Sequence, residues 1–261
     1  MREKGLSIYP LDLGTLMGMD KSFFTIRRNQ GILVNVPCLA WVVSGGERTI
    51  LVDSGPADPD WARKYHRPLK KDSSQEIENA LRKIGLSKTD IKLIIFTHLH
   101  WDHCFNLELF PEVKFIIQKK ELEYAVNPLP ADRPQYEAGV PEIQPPWMKV
   151  FGRMKPVDGD QDIIPGVRVI HLPGHTPGFQ GVVVETAEGP WVIAGDAVPL
   201  FENWDPEDAA KRIPGGIYQN LFDYESTLQK LGSFANRILP GHDPKVTEDS
   251  VFPRIRGAGK S

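Results

Sequence analysis

The stretch Thr97 to His103, THLHWDH, packs three histidines and an aspartate into seven residues of a 261-residue chain that has only 7 histidines. His98 and His100 alternate along the extended end of a strand and so point to the same side, while Asp102 and His103 follow as the chain turns. Imidazole and carboxylate are the ligands expected for zinc, iron, manganese or cobalt, and no thiolate is needed. With histidine this scarce, HxHxDH arises by chance in such a chain on the order of once in a thousand. Three later positions have matching chemistry: His175 in LPGHTPG, Asp196 in AGDA and His242 in LPGHD. Each sits where a strand meets a loop, and the glycine just before it lets backbone approach closely. Taken singly these turns are weak signals; in this order behind HxHxDH they are specific. Five histidines and two aspartates are too many for one tetrahedral ion and suit two ions that share a ligand, roughly 3.5 to 4 Å apart. A hydroxide between such ions is nucleophilic at neutral pH, so the reaction class is hydrolysis of an ester, lactone, thioester, amide or phosphoester. Asp102 or Asp196 can relay the proton to the leaving group.

Apolar runs alternating with helical patterns must position these residues. Val36 to Val43 and Thr49 to Asp53 read as two strands joined by a hairpin turn at Ser44 to Glu47. Ser73 to Gly85 carries Ile77, Leu81 and Ile84 at helical spacing. Ile91 to Phe96 is a short apolar strand that delivers the chain into the histidine cluster. Lys114 to Gln118 reads as a strand and Lys119 to Ala125 as a helix. Val167 to Leu172, Gly181 to Glu185, Pro190 to Ala194 and Arg237 to Leu239 read as strands, the last preceded by a helix around Tyr224 to Leu231. This mixture predicts layers of sheet covered by helices, an α/β (α+β) class. Asp53 to Asp72 and Asn127 to Pro146 resist regular assignment and are expected as pocket walls or a lid, the second segment alternatively as a homodimer contact. With no repeat and no linker, residues 1–261 are expected to form a single domain.

Composition narrows the partners. Charged residues are 25%, hydrophobic residues 41% and the formal net charge -3, which lacks the basic field of a nucleic-acid binder. No apolar run is long enough for a membrane span, and Met1 to Pro10 lacks the apolar core of a signal peptide. Cys38 and Cys104 are not in CxxC spacing and read as two free thiols. A cytoplasmic enzyme with a small-molecule substrate is expected.

The order His98-x-His100-x-Asp102-His103, His175, Asp196, His242 resembles the signature of the metallo-β-lactamase superfamily over nearly the whole chain. The resemblance implies a four-layer αββα sandwich. It also implies that His98, His100 and His175 hold one metal, that Asp102, His103 and His242 hold the other, and that Asp196 bridges them, with zinc the first choice. Flavodiiron-type members carry a glutamate in place of His100 and continue into a flavin domain, which argues against diiron redox chemistry here. Glyoxalase II-like thioesterases append a helical segment after the last histidine, and the RNA-processing nucleases insert an extra domain; neither is seen.

Asp12 to Phe24 (DLGTLMGMDKSFF), Val34 to Val43 and Phe252 to Ile255 are similar to the N-acyl-homoserine-lactone lactonases, the quorum-quenching branch. That likeness implies opening of a lactone or small ester by a metal-bridging hydroxide, with thioesterase, aryl esterase and phosphotriesterase as alternatives. A metal-binding module without activity would not need all seven ligands. Met17, Met19, Phe23 and Phe24 are candidates for an apolar acyl pocket or for plain core. Those lactonases often have a tyrosine three residues after the bridging aspartate, where this chain has Pro199; Tyr218 and Tyr224 are the nearest substitutes. His66 reads as a solvated loop histidine, His171 as a strand-end residue near the site, and Cys104 as a packed thiol. Trp61, Tyr65 and Trp147 are candidates for a pocket mouth or for plain packing.

Overall fold

Strands that are apolar on both faces need cover on both sides, and two sheets packed face to face with helices outside provide it. The computed structural model describes residues 5–139 and 143–254. Its strands are β1 (Ser7–Asp20), β2 (Leu33–Ser44), β3 (Thr49–Val52), β4 (Leu69–Lys70), β5 (Ile91–Ile95), β6 (Lys114–Gln118), β7 (Met154–Val157), β8 (Gln161–Ile164), β9 (Val167–His171), β10 (Gln180–Thr186), β11 (Gly189–Gly195) and β12 (Ile238–Pro240). The helices are α1 (Pro59–Tyr65), α2 (Ile77–Lys83), α3 (Lys119–Val126), α4 (Arg133–Tyr136) and α5 (Leu221–Leu231). Among the described residues one sheet runs β4-β1-β2-β3-β5-β6-β7 and the other β12-β11-β10-β9-β8.

The side-chain period of two sorts residues between layers. On β2, Leu39, Trp41 and Val43 enter the core between the sheets, where they join Val182 and Val184 of β10 and Ile193 of β11. Ala40 and Val42 face the other way, into a layer closed by Leu81 of α2 and Leu122 of α3. On the far side, Tyr224, Leu228 and Leu231 of α5 cover Val183 and Val192. The order helix, sheet, sheet, helix is the αββα sandwich of the metallo-β-lactamase fold. β3, β5, β6 and β7 run parallel, as do β11 and β12, so several strands end at one edge. Two buried glutamines pin the sheets together there: Gln118 Nε2 donates to Gln180 Oε1 at 2.9 Å, and Gln180 Nε2 to Phe96 O at 2.7 Å.

Several sequence expectations need correction. The hairpin of β2 and β3 forms, but the 14-residue β1 that pairs with β2 went unread. The expected helix over Ser73 to Gly85 is split. Asp72 accepts from Ser74 N at 2.7 Å while Gln75 Oε1 accepts from Asp72 N at 3.0 Å, a capping box that winds Ser73–Gln75 into a tight turn. Glu76 is then extended, with ψ 133, and α2 begins only at Ile77. The two segments read as irregular contain α1, β4 and α4; Val140 to Glu142 and Ile255 lie outside the described residues, as do Met1 to Lys4. Trp147 is buried in the outer core and does not face a pocket mouth. No helix among the described residues is long and apolar enough to cross a membrane.

Candidate metal centre

Four loops leaving the ends of β5, β9, β11 and β12 carry the seven predicted ligands to one place. Four of the five imidazoles are held through Nδ1. His103 Nδ1 lies 2.9 Å from Asp53 Oδ2, His175 Nδ1 2.9 Å from Ile217 O, and His242 Nδ1 2.8 Å from Pro37 O. Carboxylates and carbonyls only accept, so these Nδ1 atoms donate and each Nε2 is the nitrogen turned towards the centre. Thr97 Oγ1 donates to Asp53 Oδ2 at 2.8 Å and meets His98 Nδ1 at 3.0 Å, which orients His98 in the same sense. His100 is the exception: it presents Nδ1, 3.2 Å from His175 Nε2, with its ring set edgewise on Tyr136.

The side chains fall into overlapping groups whose ligand atoms lie within 4.8 Å of one another: His98, His100 and His175; Asp102, His103 and His242; and His98, His103 and Asp196. Asp196 Oδ2 stands 3.4 Å from His175 Nε2 and 3.6 Å from His103 Nε2, so it reaches both of the first two groups. The Nε2 atoms of His98 and His103 are buried without a hydrogen-bond partner. Such orphans cost about 1–3 kcal/mol each, which a bound cation removes. Their all-nitrogen-and-oxygen surroundings fit divalent ions. Electrostatics agree with that fit. Burial pulls His98, His100 and His175 below the ordinary imidazole range, leaving them neutral. Burial also works against the charged forms of His103 and His242, but carboxylates, Asp102 and Asp196 foremost, outweigh it and hold both imidazoles up. For Asp196, burial pushes upward, yet His242 and His103 prevail and keep its carboxyl well below the usual range.

Glycines in the ligand turns are there for space. A Cβ on Gly241 would sit 2.3 Å from Asp196 Oδ1, and one on Gly174, at φ +139, would sit 2.5 Å from the Tyr224 backbone.

Two buried carboxylates that support the ligands were not anticipated. Asp53, in the left-handed region at φ 58, accepts from Thr97 N at 2.7 Å, from Thr97 Oγ1 and from His103. Its signal in the sequence is the strand-end Asp53-Ser54-Gly55, a carboxylate turn of the same kind as the AGD turn at Asp196. Glu121 of α3 accepts from Leu99 N at 3.0 Å, Tyr136 Oη at 2.8 Å and Thr176 Oγ1 at 2.6 Å, tying the His98–His103 loop to the His175 loop. Because Asp53 orients His103 by charge and hydrogen bond, Asp53→Asn is expected to weaken metal binding about 10- to 100-fold. A competition titration of the purified protein against a chelating dye reads this, and unchanged affinity at both equivalents would remove Asp53 from that role.

Above the cluster lies a cleft with one wall of carbon, from Leu16, Met19, Phe23, Phe24, Pro199 and Ile217, and a rim formed by Arg67, Trp101 and Gln135. Of the four apolar residues singled out near the N-terminus, Met19, Phe23 and Phe24 line it; Leu16 takes the place expected for Met17. Neither candidate tyrosine does. Tyr224 is fully buried and donates from Oη to Asp196 O at 2.5 Å, holding the ligand turn from behind, and Tyr218 lies on the surface. The rings of Trp61 and Tyr65 meet at a tilt, 4.7 Å apart, and neither is among the residues lining the cleft. His171 Nε2 meets Pro177 O at 3.0 Å and Cys104 packs in the core. His66 is not solvated: its side chain is 4% exposed, lies 2.8 Å from Glu137 Oε1 and stacks on Trp101 at 4.2 Å.

The model of the metallo-beta-lactamase superfamily matches residues 33–242. An N-acyl homoserine lactonase of Bacillus sp is 29% identical over 212 residues, spanning 77% of this chain and 79% of that protein. A crystal structure of a mutant of AiiA from B. thuringiensis, with N-decanoyl-L-homoserine bound at its active site, superposes with TM-score 0.74 at 24% identity, covering 94% of this chain and 96% of that one. AidC, described as a dizinc quorum-quenching lactonase in complex with a product, superposes with TM-score 0.70 at 18% identity, covering 94% and 90%.

Proposed function

The chain belongs to the metallo-β-lactamase superfamily, and from that premise we propose that it opens N-acyl homoserine lactones, with the seven clustered side chains holding two zinc ions. It is a metal-dependent hydrolase of lactone or ester bonds. His98, His100 and His175 would hold one ion and Asp102, His103 and His242 the other, with Asp196 within reach of both groups. When bound, the ions supply Lewis acidity and an activated water at neutral pH. The chain's own residues do the rest. The apolar wall from Leu16 to Ile217 takes the acyl arm and keeps bulk water away. Asp102 and Asp196 face the cleft and are the carboxylates placed to carry a proton to the leaving ring oxygen. The dizinc neighbour supports the choice of metal. The four continuous layers support one domain over 1–261, and two buried free thiols support a cytoplasmic setting.

The observation that carries this reading is the orientation of the histidines, four of which are fixed through Nδ1 so that Nε2 points inward. The test is a pH-stat assay of zinc-loaded protein on N-hexanoyl-L-homoserine lactone, with the ring-opened acid identified by mass. Turnover of the lactone is expected. No lactone opening alongside rapid hydrolysis of aryl esters or phosphotriesters would reassign the substrate.

A further inference from the structure

Three side chains that carry N–H donors and belong to none of the ligand groups line the cleft: Arg67, Trp101 and Gln135. Among the described residues none of the three has a hydrogen-bond partner for its side chain. Outside the ligand groups the remaining lining side chains are apolar and carry no N–H or O–H donor. A substrate oxygen that enters the cleft away from the ligand cluster finds its side-chain N–H donors among these three, and where the bound substrate displaces water an oxygen left unpaired costs about 1–3 kcal/mol.

Arg67 is held for such a task. Its guanidinium lies over the Phe23 ring, 5.2 Å from the centroid, and makes no ion pair among the described residues. The backbone is pinned on both sides. His66 before it is locked between Glu137 and Trp101, and the carbonyl of Pro68 after it accepts from Met17 N at 2.9 Å. Trp101 N in turn donates to Gln135 O of α4 at 2.9 Å, so the segments bearing all three donors are joined. Arginine offers a rigid fork of donors suited to a carbonyl or carboxylate oxygen.

We propose that Arg67, assisted by Gln135, binds a second carbonyl oxygen of the substrate, the one in the arm attached to the lactone ring. The chain thereby selects lactones with an amide or ester arm over lactones with a hydrocarbon arm. This rests on the lactonase reading above and adds to it the group that recognises the arm.

The experiment compares kcat/KM of the zinc-loaded protein and its Arg67→Met and Arg67→Lys variants on N-hexanoyl-L-homoserine lactone and on γ-decalactone, which has a similar ring and chain but no amide. Arg67→Met is expected to lower kcat/KM for the amide-bearing lactone about 10- to 100-fold more than for γ-decalactone. The loss should fall mainly in KM, with Arg67→Lys intermediate because it keeps the charge and loses the fork. An equal effect on both substrates, or a selectivity ratio that does not move, overturns the role of Arg67 and leaves lactone hydrolysis standing. Failure of the unaltered protein to open either lactone overturns the lactonase reading and this inference with it.

Discussion

Asp196→Asn is expected to lower kcat/KM for lactone opening about 10³-fold, the loss typical of removing a preorganised charge from a reacting centre. The residue is 6% exposed, and its Oδ2 approaches one imidazole from each ligand group. Asparagine keeps the shape and replaces by a neutral amide the charge that, in the proposed centre, two divalent ions would share. Its turn should survive, because Tyr224 Oη grips the backbone carbonyl of residue 196 and not the side chain. The folded state, read by circular dichroism, is therefore expected to persist while bound metal falls from two equivalents towards one. Activity within tenfold of the unaltered protein would place Asp196 outside the centre.

Removing the metal is expected to be the largest thermal perturbation available. The cluster buries His98 Nε2 and His103 Nε2 without partners and sets imidazoles beside imidazoles, as in the 3.2 Å approach of His175 to His100. An ion at a thousandfold excess over its Kd stabilises the native state by about 4 kcal/mol. For a chain of this size that corresponds to roughly 8–16 °C in Tm per ion. Calorimetry with and without a chelator, paired with elemental analysis, should show the drop arriving with the loss of two equivalents and reversing on reloading. A Tm that ignores the chelator would mean the cluster binds no ion tightly.

What could be read in advance divides along physical lines. The ligand motif is local and its residues are rare, and strands such as β2 and β10 are continuous apolar runs bounded by turn residues, so both were legible. β1 was not, because its register breaks between Asp12 and Thr15 and again between Leu16 and Met19, which destroys the period of two. Gly14 at φ 145 and Gly18 at φ 62 accompany those breaks. α1 announces itself only through its cap, Asp58 followed by Pro59, in a stretch too short to show an apolar stripe. The supporting carboxylates were hidden for a different reason. Glu121 and Asp53 are charged residues that become buried because donors far away in the chain converge on them, and beyond the strand-end turn at Asp53 spacing along a sequence carries no trace of that convergence. His66 was misread in the same way, since its partner Glu137 is 71 positions away.

Glu121 has one more implication. By joining Leu99, Tyr136 and Thr176 it fixes the spacing between two ligand loops with protein bonds alone. The conformational entropy of arranging those loops is thus surrendered during folding and not when an ion arrives. Uptake of a cation becomes an encounter with a ready-made mould, and a mould discriminates by ionic radius where a floppy loop would adapt to whatever enters.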